Sequence, residues 1–195
     1  MTIAASGPAS GPETIDPAFP GAPLVETARL RLRGFRASDL DAQARMLGDP
    51  AVMHYVGGIG LSREDSWRRV IGAAGLWTLL GYGYWAVERR EDGAMIGQVG
   101  FADFKRAMAP SIEGLPEMGW IFAPAAHGQG YASEAVAGAL DWADRVLRAP
   151  EIVAIIDAAN APSIRVAEKA GFSACEQATY RNEPILLFRR RAPRG

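Results

Sequence analysis

One cysteine, Cys175, and two histidines in 195 residues leave little material for redox or metal chemistry. A single thiol excludes an internal disulfide and fits a reducing cytoplasm. So few soft ligands argue against a dedicated zinc site, and no metal is expected. Net charge is slight, with 21 Lys+Arg against 22 Asp+Glu, so no basic field is present to attract nucleic acid. No stretch approaches the ~20 consecutive apolar residues of a membrane span. The first residues lack the basic and apolar blocks of a secretory signal. A cytoplasmic protein without nucleic-acid or membrane partners is the expectation. What the chain does have is hydrophobic bulk, 49% of its residues, enough for one substantial core.

Residues 1–23 are rich in Pro, Gly, Ala and Ser and carry no periodic apolar pattern. Such a segment buries too little surface to offset its ordering entropy, so a flexible arm is expected ahead of a single domain at 24–192. Ile15 and Phe19 are its candidate docking residues, on the body or on a second subunit of a homodimer. Arg29-Leu-Arg-Leu-Arg33 alternates as a half-buried strand does. Ser38 with Asp41, and Ser62 with Asp65, read as helix starts. The second of these opens a stripe at Trp67, Val70, Ile71, Ala74 and Trp77. Two strands, 84–88 and 95–104, turn at Glu91-Asp92-Gly93. Ile152 to Ile156 is a continuous apolar run, as in a strand buried on both faces. A short helix at 163–170 ends at Gly171, and two closing strands follow at 172–178 and 185–190.

Between these lies the most informative segment, Glu117-Met-Gly-Trp-Ile-Phe-Ala-Pro-Ala-Ala-His-Gly-Gln-Gly-Tyr-Ala-Ser-Glu. An apolar strand runs into a loop carrying Gly128 and Gly130, and a helix with apolar Val136, Ala139, Leu140, Ala143 and Val146 opens directly afterwards. Glycines there let the backbone approach a ligand, and the helix start suits phosphate. A P-loop would need Lys-Ser/Thr after the last glycine, whereas Tyr131-Ala132 follow. A dinucleotide fingerprint is approximated by Gly128-x-Gly130-x-x-Ser133, with Asp157 ending the next strand. The βαβαβ array that fingerprint requires is missing, so an NAD-binding oxidoreductase is the remote alternative.

Downstream stands Asn160-Ala-Pro-Ser163, then Lys169-Ala-Gly171-Phe172. With His127-Gly-Gln-Gly-Tyr-Ala132 ahead of it, the chain from about Leu24 to Arg190 resembles the GNAT superfamily of acetyl-CoA-dependent N-acetyltransferases, and most closely its RimJ/RimL-like branch. His127 stands where Arg or Gln is usual. The resemblance implies an α+β fold with a mixed, mostly antiparallel sheet of about seven strands, splayed at a cofactor wedge and flanked by about four helices. It implies acetyl-CoA as co-substrate and an amine acceptor, either a protein N-terminus or a small molecule. Ile121 and Phe122 would flank the pantetheine, with a backbone N–H near Phe122 aimed at the thioester oxygen. Gly128, Gln129, Gly130, Tyr131 and Ala132 would cradle the pyrophosphate, with His127, Ser133, Asn160, Ser163 and Lys169 as further cofactor-binding candidates.

Acetyl transfer also needs a neutral amine and a protonated thiol leaving group. Glu117 is the candidate proton acceptor, a strand-edge glutamate facing water being the other reading. Asn160 could bridge to pantetheine or to an acceptor-bound water. Ser163 is the candidate proton donor to the thiolate, or else a helix cap. Many relatives place a tyrosine seven residues after this asparagine; here that position is Ala167. Glu134, in the first turn of its helix, suits the helix dipole and reads as structural. The acceptor site is expected among Tyr55, Tyr84, Trp85 and Trp120, with Gly57-Gly-Ile-Gly60 as a lip. Cys175 reads as a small core residue, since direct transfer requires no acetyl-enzyme. A CoA-binding protein of the same fold without turnover is the second class that the missing tyrosine leaves open.

Overall fold

The computed structural model describes residues 21–181 and 183–192, apart from the side chains of Ala174 and Cys175. The expectations for Ile15 and Phe19, and for the Cys175 side chain, lie outside the described residues. Gly21-Ala22-Pro23 are described and belong to the body rather than to an arm. Ala22 packs on the main core, and the Pro23 carbonyl accepts a 2.7 Å hydrogen bond from the Trp85 indole.

One sheet organises the chain. Its strands are β1 (Val25–Glu26), β2 (Leu30–Arg33), β3 (Tyr84–Arg89), β4 (Met95–Ala102), β5 (Met108–Ala109), β6 (Glu117–Phe122), β7 (Glu151–Asp157), β8 (Ser173–Tyr180) and β9 (Glu183–Arg191). The order across the sheet is β1-β2-β3-β4-β6-β7-β9-β8-β5. Five helices flank it: α1 (Leu40–Gly48), α2 (Pro50–Met53), α3 (Arg63–Leu80), α4 (Tyr131–Trp142) and α5 (Ala161–Lys169). Among the described residues the sheet has nine strands and five helices flank it, against about seven and four expected. The additions, β1, β5 and α2, have two to four residues each, too short to show a period.

Local chemistry sets several of these boundaries. The Ser62 hydroxyl accepts the Asp65 N–H at 3.0 Å and starts α3, and Gly81 closes that helix in the left-handed region at φ 73°. Ahead of α1 the Asp39 carboxylate accepts the Arg36 N–H at 2.7 Å. Asp39 also receives both Arg33 guanidinium nitrogens, and Glu88 receives the Arg33 Nε at 2.6 Å. The basic face of β2 is thus partly buried, because two carboxylates neutralise Arg33.

The main core lies between the sheet and α4, where Ala135, Val136, Ala139 and Leu140 meet Leu30, Leu32, Val99 and Phe101. Trp77, Trp85 and Trp142 meet edge to face there, at centroid distances of 4.7–5.4 Å. On the opposite face α1, α2 and α3 cover the sheet, Val70 and Ala73 packing with Phe35, and Met46 and Leu47 with Met53. Trp85 is completely buried in the α4-side cluster. It is a core residue and does not line an acceptor pocket. Trp85→Ala is expected to cost about 3–5 kcal/mol of stability, the range for deleting a buried aromatic, read as a lower denaturation midpoint.

Candidate acetyl transfer site

Strands β6 and β7 are the parallel pair in the sheet, and they touch only where they begin. Their register joins Glu117 to Val153, anchored by the Val153 N–H to the Pro116 carbonyl at 3.0 Å. No further pair follows among the described residues. On its far side β6 stays fully paired with β4 from Glu117 to Phe122, and β7 with β9 from Glu151 to Asp157. The two strands therefore diverge toward their C-terminal ends. Main-chain groups alternate in direction along a strand. The Ala123 N–H donates to Ile96 in β4, and the Pro116 carbonyl faces β7. The main-chain groups of Trp120 and Phe122 must then face the gap.

The loop after β6 is braced at several points. The His127 ring folds back onto the Phe122 carbonyl at 3.0 Å. A carbonyl can only accept, so Nε2 carries the proton. His127 is therefore engaged at the strand end rather than turned only to solvent. The Gln129 side chain donates to the Ala125 carbonyl at 2.6 Å. Gly128 and Gly130 hold φ values of 74° and 78°, a region costly for other residues. Gly130 is the N-cap of α4 and offers no side-chain cap. The first N–H groups of α4 at Tyr131, Ala132 and Ser133 converge there without a capping side chain. An open strand pair that runs into an uncapped helix start fits pantetheine followed by pyrophosphate.

Glu134 follows one turn into α4. Its carboxylate accepts from the Thr27 hydroxyl at 2.6 Å and from the Arg29 N–H and Nε at 2.7 Å each. Burial alone would raise this carboxyl, but those donors hold it below its ordinary range. The expected structural role of Glu134 is thus a tie between β2 and α4.

Across the gap, Asn160 lies three residues beyond β7, at the N-cap of α5. Its side-chain oxygen accepts the Ser163 N–H at 3.2 Å. Asn160, and not Ser163, is the cap. This leaves the Asn160 amide nitrogen and the Ser163 hydroxyl for other partners. Ala167 is fully buried against the core, so α5 presents no acid at that position. Lys169 sits exposed in the last turn, ~9 Å along the axis from Ser163 at 1.5 Å per residue. The fold does not bring it to the Asn160 end.

On the α1/α3 face, Tyr84 lies across two glycines. A side chain at Gly119 would begin 2.3 Å from the Tyr84 hydroxyl, so only glycine leaves room there. Burial, and then the Glu117 charge, push the Tyr84 phenol upward, keeping it a donor at neutral pH. Glu117 is 4% exposed and does not face water. Arg106 grips it from two nitrogens, at 2.5 and 2.8 Å. Arg106 is itself sandwiched between the Phe104 and Tyr180 rings, at 4.8 and 4.7 Å. Trp120, like Met118 and Phe122, points to the α4 face and packs on the main core. Tyr84 lies on the other face of the sheet. Tyr55 is partly exposed beyond α2, next to the Gly57–Gly60 turn, with its ring 4.5 Å from that of His54. Among the described residues no group of three or more His, Cys, Asp or Glu is placed to hold a metal, and no helix is long and apolar enough to cross a membrane.

A family profile described as an acetyltransferase (GNAT) domain matches residues 29–173. The chain belongs to the GNAT acetyltransferase family. The Bacillus subtilis protein YkkB is 32% identical over 178 residues, covering 85% of this chain and 94% of YkkB. A GNAT-family acetyltransferase of Bordetella pertussis superposes with a TM-score of 0.75 at 28% identity, covering 86% of this chain and 99% of its own. Mycobacterium smegmatis RimJ, whose structure holds a CoA disulfide, shares the fold at a TM-score of 0.72 and 20% identity, with 88% of each chain covered. Acetyl-CoA-dependent N-acetylation is the general reaction of GNAT enzymes, and this chain carries their sheet and their glycine loop.

Two residues beside the candidate site were not singled out from sequence, Arg29 and Arg106. Arg29 reads as the first of three alternating arginines, at 29, 31 and 33, and stands just ahead of β2. Its loop partner, Gln129, lies 100 residues away, and no local pattern reports such a contact.

Proposed function

We propose that the chain moves the acetyl group of acetyl-CoA directly to a primary amine while both are bound. The observation that carries this reading is the divergence of β6 from β7 beyond Glu117, continuous with the uncapped start of α4. Bound acetyl-CoA supplies an activated acyl group. The Phe122 N–H, facing the gap, would hydrogen-bond the thioester oxygen, where a donor acts most as negative charge grows. The backbone from Gly128 to Ser133 would hold the pyrophosphate. The Asn160 amide nitrogen would orient pantetheine or a water, and the Ser163 hydroxyl would donate a proton to the departing sulfur. Glu117 would take the amine proton through a water on the lone pairs that Arg106 leaves open, since an ionised carboxylate has about four acceptor sites. The acceptor would approach on the Tyr84 face, where the Tyr84 hydroxyl and the Glu117–Arg106 pair supply the polar contacts.

The acceptor class is a protein N-terminus or a small amine, and the compartment is the cytoplasm. Thiol release from acetyl-CoA over a panel of peptides and small amines tests the reading. The active pair should give intersecting double-reciprocal lines, and Cys175→Ala should turn over as the parent does. Parallel lines with an inactive Cys175→Ala variant would overturn direct transfer. The buried pairing of Glu117 and the alanine at 167 favour one second reading, a CoA-binding protein without turnover. CoA affinity with no thiol release from any amine would establish that class instead.

A further inference from the structure

Arg29 grips both sides of the α4 start. Its Nη1 donates to the Gln129 carbonyl at 2.9 Å, and its Nε and main-chain N–H both reach Glu134 at 2.7 Å. Its guanidinium carbon stands 4.5 Å from the centroid of the Tyr131 ring. Nη2 lies 3.5 Å from where a side chain on Gly130 would begin. One side chain thus contacts residues before, at and after the helix N-terminus.

Two physical consequences follow. In a trans peptide the C=O and the next N–H point in opposite directions. Holding the Gln129 oxygen on the Arg29 side therefore aims the Gly130 N–H the other way. With glycine at 130 and glycine at 128, nothing local prevents that peptide from turning over and presenting its oxygen to an anion. The second consequence is electrostatic. Glu134 places a negative charge one turn from the N–H groups that would receive phosphate, and Arg29 neutralises it.

We propose that Arg29 is a positioning residue for the pyrophosphate of CoA, acting by fixing the 129–130 peptide and cancelling the Glu134 charge. The proposal rests on the reading that this loop receives CoA. Arg29 does not touch the phosphates in this scheme; it sets the direction of the groups that do.

The test uses the full chain, with Arg29→Met, Arg29→Lys, Glu134→Gln and the Arg29→Met/Glu134→Gln double variant. CoA binding is measured by calorimetry, pantetheine binding by NMR titration, and amide hydrogen exchange in the ligand-free protein. Arg29→Met should weaken CoA by ~10-fold, the loss of about one charge-assisted interaction. Pantetheine, which lacks the phosphates, should bind the variant as it binds the parent. Amides 130–133 should exchange faster before any ligand is added. The loss should be smaller in the Glu134→Gln background, where no charge remains to cancel. Arg29→Lys keeps the charge but not the two-sided grip, so it should fall between the parent and the methionine variant; it carries the test should Arg29→Met fold poorly. Unchanged CoA affinity overturns the proposal, as does an equal fall for pantetheine. Equal losses in both backgrounds, with unchanged exchange at amides 130–133, would overturn it and mean that Arg29 contacts phosphate itself. Absence of CoA binding to the parent chain would instead sink the loop reading as a whole.

Discussion

Gly130→Val should abolish useful CoA binding, lowering affinity at least ~100-fold, while the protein stays folded. Phosphate oxygens held by backbone N–H groups form charge-assisted bonds worth about 1.5–3 kcal/mol each. Losing two of them reaches two decades of affinity at about 1.4 kcal/mol per decade. Gly130 sits at φ 78°, which costs an L side chain about 1–2 kcal/mol, more for a β-branched one. The loop must therefore either shift or carry strain where the N–H groups converge. The damage should remain local, because Gly130 is exposed and a side chain there would meet only the Arg29 guanidinium at 3.5 Å. Gly130→Asn, which tolerates the left-handed region, should lose less. Calorimetry with CoA and a parallel thermal melt decide it. A folded valine variant with parental affinity would remove the phosphate cradle from the site.

Glu117→Gln is expected to show two separable effects. The first is on stability. Glu117 and Arg106 are both largely buried, with side chains 6% and 19% exposed, and removing one partner leaves the other charge uncompensated. The loss should be about 3 kcal/mol, the low end of the range for buried pairs, read from the denaturant midpoint. The second effect is on turnover with an active amine. If Glu117 takes the ammonium proton, the rate should fall strongly near neutrality and recover as the pH approaches the amine's own pKa, about 8 for an α-amine and about 10 for lysine. Above that value the acceptor arrives neutral and needs no base. A rate ratio to the parent that stays flat across this range would leave Glu117 with only its structural role. Undiminished stability would argue against the Arg106 pair as drawn.

Much of the candidate site was legible in the sequence because its signals are local. Gly128 and Gly130 needed only their spacing and a following helix to suggest positive φ and an anion site. Asn160-Ala-Pro-Ser163 needed only four residues to mark a helix start, although the cap read at Ser163 lies at Asn160. Periodicity found every strand of six or more residues, within a few residues at the ends, and missed the two-residue strands β1 and β5. Among the aromatic residues the sequence did not separate core from candidate site. Trp85, Trp120 and Tyr84 look alike as polar-tipped rings on strands. Which of them faces an acceptor depends on the sheet face, and so on strand pairing.

Sequence by itself determined the family, the order of the long elements and the glycine loop, because those follow from near neighbours along the chain. Tertiary structure decided what surrounds the candidate groups. Pairing β6 with β4 along its whole length, and with β7 only at Glu117, opens the wedge. Folding β2 against α4 brings Arg29 to Gln129 and Glu134. The β4–β5 connection lays Arg106 on Glu117 and makes this candidate proton acceptor one half of a buried ion pair. Each of these contacts joins groups whose charges or open backbone bonds match only after separate segments meet. Such partnerships are set by packing the sheet and helices together, and no window along the chain contains both members of the longest of them.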